Sequence, residues 1–210
     1  MRTKVLFAGA VIGVIGLAAA AAKALAEENY SGPSFEVVNK MAHDIELRKY
    51  SPRIVAEVEV DDSGDALNNA FRILAAYIFG ENKSRSKLAM TSPVTTQQEK
   101  IPMTSPVTAE SANGKLKMRF FMPNAYTLES LPEPMDKRIS FSKLPEETFA
   151  AIRFSGAWRK SNFKNHANLL LDHLSRSNVT VTGEPVNAYY NPPFMPSFLR
   201  HNEVLIPVAR

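Results

Sequence analysis

Between residues 53 and 60 the chain alternates: Ile54, Ala56, Val58 and Val60 fall on one side, and Arg53, Val55, Glu57 and Glu59 on the other. That period of two predicts a strand with one face toward a core. The period then lengthens. After Asp61, Asp62 and Ser63, which offer capping oxygens, Leu67, Phe71, Leu74 and Ile78 recur at helical spacing until Gly80 stops the run. The same order returns a little under one hundred residues later. A strand over 148–154 is followed by Ser155 and Gly156, and then by a helix over about 161–177 with Phe163, Ala167, Leu170 and Leu174 on its apolar face.

Shorter apolar runs fill the remainder. Asn113-Gly114 supplies the left-handed backbone of a tight hairpin, so a strand over 115–122 is expected to fold back on the segment before it. Ile139, Phe141 and Leu144 mark another strand, and residues 179–182, 186–190 and 203–208 mark three more. Eight to ten short strands with two helices, in two similar halves, predict an α+β fold. Its form is a pseudo-two-fold antiparallel sheet curved into an open barrel, with a flanking helix on each half.

The hexapeptide Met-Thr-Ser-Pro-Val-Thr occurs twice, over 90–95 and 103–108. Pro93 and Pro106 cannot donate to a ladder and belong at strand ends, edges or bulges. Met90 and Met103 are read as packing residues at the junction of the halves, with thioether ligation of a metal as the competing reading. The neighbouring hydroxyls of Thr91, Ser92, Thr104 and Ser105 are expected to satisfy backbone groups.

The first 26 residues change what composition means. Arg2 and Lys4 precede an apolar run over 5–22, and Ala24-Leu25-Ala26 resembles a cleavage site before Glu27. Residues 1–26 therefore read as an export signal or as an uncleaved N-terminal membrane anchor through 5–22, with 27–210 as one domain outside the cytoplasm, in the periplasm or tethered to its membrane. Without Arg2, Lys4 and Lys23 the chain holds 22 basic against 21 acidic residues. The overall pI of about 9.3 thus overstates any attraction to nucleic acid, and no nucleic-acid partner is expected. The absence of cysteine excludes thiolate nucleophiles, disulfides, Cys-based zinc sites and covalent haem attachment.

Several ordered phrases resemble the SOUL haem-binding family: Ile45-Glu46-Leu47-Arg48-Lys49-Tyr50-Ser51-Pro52, Tyr77-Ile78-Phe79-Gly80-Glu81-Asn82, and the doubled hexapeptide. Arg119-Phe120-Phe121-Met122-Pro123, Leu131-Pro132-Glu133-Pro134, Arg153-Phe154-Ser155-Gly156 and the tail from Asn191 through Val204 extend the likeness from about Phe35 to the end. The resemblance implies a barrel similar to bacterial effector-binding domains and noncovalent binding of haem or another tetrapyrrole, a small planar hydrophobic ligand, for buffering, transport or sensing. Family pockets lie beside the first helix. This points to Asn68, Phe71, Arg72 and Ala75, with Phe194, Met195 and Phe198 of the tail as further lining and Arg72 as a partner for a propionate. Phe71 also fits a plain core role, and Arg72 a solvated one.

Axial ligation is weakly supplied. Lys49 stands where some animal members carry histidine, leaving His43, Met90 and Met103 as candidates. His166 and His173 are seven apart on one helix, over 10 Å at about 1.5 Å per residue, and read as flank residues, while His201 reads as a structural polar group. Two other functions stay open. One is an effector-binding-type domain with hydrolase-like activity, through an isolated buried glutamate, although no nucleophile elbow, zinc-binding pair or phosphate loop occurs. The other is an interaction module at a membrane surface, in which residues 192–198 expose Phe194, Met195 and Phe198.

Overall fold

The computed structural model describes residues 32–42, 44–84, 98–192 and 194–209. The expectations on residues 1–26, His43, Met90 and the first hexapeptide lie outside them. Eleven strands and two α-helices follow in chain order: β1 (Phe35–Ala42), β2 (Ile45–Tyr50), β3 (Arg53–Asp61), α1 (Ala66–Ile78), β4 (Asn82–Lys83), β5 (Val107–Ala112) and β6 (Lys115–Phe121). Then come β7 (Glu133–Pro134), β8 (Ser140–Leu144), β9 (Glu147–Phe154), α2 (Lys160–Arg176), β10 (Val186–Tyr189) and β11 (Asn202–Pro207).

Nine strands form one antiparallel sheet in the order β1-β2-β9-β11-β10-β5-β6-β3-β8, and β4 pairs with β7 separately. From β2 to β8 this order is a palindrome: exchanging β2 with β8, β9 with β3, β11 with β6 and β10 with β5 reproduces it. The pseudo-two-fold therefore passes between β10 and β5, and each half contains an outer strand from the other half.

That exchange forces curvature. β2 and β3 stand six places apart in the sheet, about 29 Å if it were flat at ~4.8 Å per strand. Yet only Ser51 and Pro52 join them, and three Cα steps of 3.8 Å reach about 11 Å. Pro145 and Glu146 impose the same constraint between β8 and β9. Arg53 ties the two crossing turns together, donating from Nη1 to the Ser51 and Pro145 carbonyls at 3.4 Å each and from Nη2 to Glu147 at 2.8 Å.

Each helix covers its own half of the sheet. Ala70, Ile73, Leu74, Tyr77 and Ile78 of α1 pack on Ala56, Val58, Met118 and Phe120. Phe163, Ala167, Leu170 and Leu174 of α2, the four residues expected from periodicity, pack on Ala150, Ile152, Val204 and Ile206. Alternation sends Phe149, Ala151 and Leu205 to the opposite face, where they meet Tyr50, Val186 and Ala188. The Asn113-Gly114 turn has φ of 52° and 73°, as the hairpin requires. Pro106 immediately precedes β5, and Thr104 Oγ donates to the Phe121 carbonyl while Ser105 Oγ donates to that of Tyr190.

Two local expectations are corrected. Asp61, Asp62 and Ser63 do not cap α1 through side chains; the N-cap is Asp65, whose carboxylate accepts from Asn68 Nδ2 at 2.6 Å. Asp61 and Asp62 are drawn instead to Lys115 and Lys160. Residues 179–182 form only an isolated bridge, Val181 with Val208, rather than a strand.

Candidate functional site

Helix α1 has one partly polar flank. Asp65, Asn69, Arg72 and Ala76 recur at spacings of three and four, so they share one flank of the helix. That flank faces the start of the helix on one side and the segment 136–139 on the other. Two clefts open there, of about 600 Å³ and 250 Å³. The larger is bounded by Val60, Ala66 and Lys115, the smaller by Ile73, Tyr77, Glu81 and Ile139. Asn69, Arg72 and Arg138 line both, which makes them one groove along the helix with two arginines on the shared wall.

Charge in the groove is mixed. Arg138 grips Asp136, with Nη2 at 2.6 Å, and Lys115 holds Asp61 at 2.6 Å. Hydrogen bonding to these partners, with their charge, pushes both basic groups up and holds both carboxyls below their usual range. Arg72 is exposed and, among the described residues, makes no ion pair, which leaves its guanidinium the uncommitted cation of the wall. At the far end, beyond Glu81, Phe79 and Met135 expose apolar side chains, 63% and 46% accessible. The Met135 N–H reaches the Glu81 carbonyl at 3.3 Å, which places that residue at the groove's mouth.

The residues expected from sequence are distributed as follows. Arg72 lines the groove. Asn68 is exposed, engaged with Asp65, and lines neither cleft. Phe71 packs against the first core, its ring 5.5 Å from Phe120, and Ala75 is buried. The space beneath α1 is thus filled by the protein's own side chains, and the opening lies along the helix flank rather than under it. Phe194, Met195 and Phe198 sit on the other half, where the Gly156 N–H donates to the Ser197 carbonyl at 2.9 Å, and they belong to none of the three cores. Met103 packs against the first core.

None of the described histidines lines either cleft. His166 stacks on Phe154 at 3.8 Å, its Nδ1 lying 2.8 Å from the Asn162 carbonyl. His201 stacks on Tyr190 and contacts Glu203. Among the described residues no cluster of three or more His, Asp or Glu side chains is set to hold a metal, and no helix is long and apolar enough to cross a membrane.

Sequence reasoning missed Asn69, Ile73, Ala76, Arg138 and Ile139. The helical spacing of the first three was a usable signal, because it runs through Arg72. Nothing in the order of residues announces that 136–139 returns to that flank.

Comparison with known proteins bears on what the groove serves. A family model described as SOUL heme-binding protein matches residues 30–207. Human Heme-binding protein 2 is 28% identical over 190 residues, covering 88% of this chain and 87% of that protein. The crystal structure of the EcmrR C-terminal domain superposes with a TM-score of 0.56 at 13% identity, over 79% of this chain and 97% of that one. A hydrolase from Listeria innocua gives 0.53 at 14% identity, over 87% and 94%. These two structures establish a shared architecture and nothing finer.

Proposed function

We infer, because the chain belongs to the SOUL family of heme-binding proteins, that it binds haem or a related tetrapyrrole noncovalently. The observation that carries this reading is the extent of the family match, which runs through both halves of the barrel from residue 30 to 207. It is supported by the name of the human relative, Heme-binding protein 2.

The groove along α1 fits the chemistry in part. Its larger section falls within the ~300–1,000 Å³ range of small-molecule sites, and Ile73, Ala76 and Ile139 give its smaller section apolar surface. Arg72 and Arg138 are the groups placed to meet two propionates through charge-assisted hydrogen bonds, roughly twice as strong as neutral ones. Phe79 and Met135 offer flat and adaptable apolar contact at the mouth. Among the described residues no histidine or methionine lines the two clefts, so propionate capture and apolar contact are what these residues would supply to the macrocycle. Bound haem would supply its own iron chemistry; Arg72 and Arg138 would hold its propionates, and Ile73, Ala76 and Ile139 would contact its apolar surface.

Titrating haemin into the protein is expected to shift the Soret band and saturate at one equivalent. The Arg72→Ala, Arg138→Ala double variant is expected to weaken binding tenfold or more, ~1.4 kcal/mol or above. Unchanged affinity in that variant would remove the groove from the proposal, whereas absence of saturable binding in the unaltered chain would remove the function itself.

A further inference from the structure

The segment leading from β10 to β11 holds its backbone firmly while turning two large rings to water. Arg200 Nε donates to the Met195 carbonyl at 2.8 Å, the Gly156 N–H donates to the Ser197 carbonyl at 2.9 Å, and the Arg200 guanidinium lies 4.5 Å over the Trp158 ring. Despite that anchoring, Phe194 is 86% and Phe198 74% exposed. A single exposed phenylalanine needs no explanation. Two on one pinned turn form a preorganised apolar projection, whose ordering has been completed before any partner arrives.

Its surroundings indicate the partner. Arg159 is exposed directly after Trp158, Lys160 beside it reaches Asp62 at 3.0 Å, and Arg200 stacks on the same indole, so an aromatic ring and the cations Arg159 and Arg200 accompany this segment. Aromatic and cationic side chains together suit the boundary between anionic headgroups and acyl chains. The chain also enters the domain at this place. Gly32 lies so close to Ser105 that an added Cβ would come within 2.4 Å of its carbonyl, and Ser105 Oγ donates to the Tyr190 carbonyl at 3.1 Å. Tyr190 is the residue from which the segment departs. Only nine residues, 23–31, separate the apolar run 5–22 from Gly32, a reach of about 36 Å at most.

We propose that Phe194 and Phe198 insert into the interfacial zone of an anionic phospholipid bilayer, on the side of the domain where Gly32 lies.

The absence of cysteine permits a direct test. Phe194→Cys, Phe198→Cys and, on exposed Leu169 of α2, Leu169→Cys are each labelled with an environment-sensitive fluorophore. The full chain is then reconstituted with phosphatidylcholine–phosphatidylglycerol vesicles. The labels at 194 and 198 are expected to shift to the blue, gain at least twofold in intensity and be quenched by shallow nitroxide lipids, while the label at 169 keeps its aqueous emission. Three results overturn the proposal: water-like emission at 194 and 198 in chains that float with the vesicles, failure of the chain to float, or burial of these labels without lipid, which would indicate a second copy or a protein partner.

Discussion

Glu203 is 1% exposed and has every lone pair in use. Arg48 Nη1 and Tyr190 Oη donate to one oxygen at 2.8 and 2.7 Å; Arg48 Nη2 at 3.1 Å and the His201 ring at 2.8 Å serve the other. Burial alone would raise this carboxyl. Hydrogen bonds from His201 and Arg48, with their charge, outweigh it and hold the group at about 2. Such a carboxylate is a poor general base, so the buried-glutamate route to hydrolysis has no free acceptor at this position. Because the folded value lies below the ordinary 4.5, its contribution to stability is fully present above that value. It is lost as pH falls toward about 2, when protons bind the unfolded chain first. Urea unfolding between pH 5 and pH 2 is therefore expected to show falling stability that the Glu203→Gln variant largely lacks. At pH 7 the same substitution takes the two-pronged partner from buried Arg48 and leaves it Glu46, 2.8 Å from Nε, as counter-charge, an expected cost of about 1.5–3 kcal/mol. An unchanged urea midpoint at pH 7 would contradict this account.

Among the elements, the hairpin between β5 and β6 isolates the contribution of backbone conformation. Gly114 has φ of +73° and open space where a Cβ would stand, so Gly114→Ala is expected to cost about 1 kcal/mol through strain alone. Gly64 also has open space but no left-handed backbone. Gly64→Ala is expected to be neutral or to stabilise by about 0.4–1 kcal/mol, since it only restricts the unfolded chain. Denaturant midpoints of the two variants should move in opposite directions or differ clearly; equal shifts would deny the conformational explanation. Legibility in the sequence follows the same physics. Helix α2 could be read residue by residue because a single sheet face receives it, leaving a clean stripe of Phe163, Ala167, Leu170 and Leu174. β1 was missed because its residues 35–40 are all exposed, so no buried face imposes a period. In the groove, Arg72 was named only through the family resemblance, which puts pockets beside the first helix, and Arg138 was not named at all, because its approach depends on a loop that returns from more than sixty residues along the chain.

At the scale of the whole molecule, the exchange of β2 and β8 between halves decides how the protein unfolds. β3 pairs with β6 and with β8, while β9 pairs with β11 and with β2. Neither half can complete its sheet from its own consecutive segments, and the joining turns are too short to let one half open while the other keeps its borrowed strand. Arg53 reinforces the coupling by binding both turns. A helix in the first half should therefore report on a probe in the second. Leu74 of α1 is fully buried, and Leu74→Ala is expected to cost about 2–5 kcal/mol. Trp158, the single tryptophan, lies in the second half, where its Nε1 donates to Asn202 at 2.9 Å. In Leu74→Ala the denaturant midpoint seen by Trp158 fluorescence should fall as far as that seen by far-ultraviolet circular dichroism, in one transition with an unchanged slope. Separate transitions, with the tryptophan signal left near its original midpoint, would mean that the two halves unfold independently and that strand exchange does not couple them.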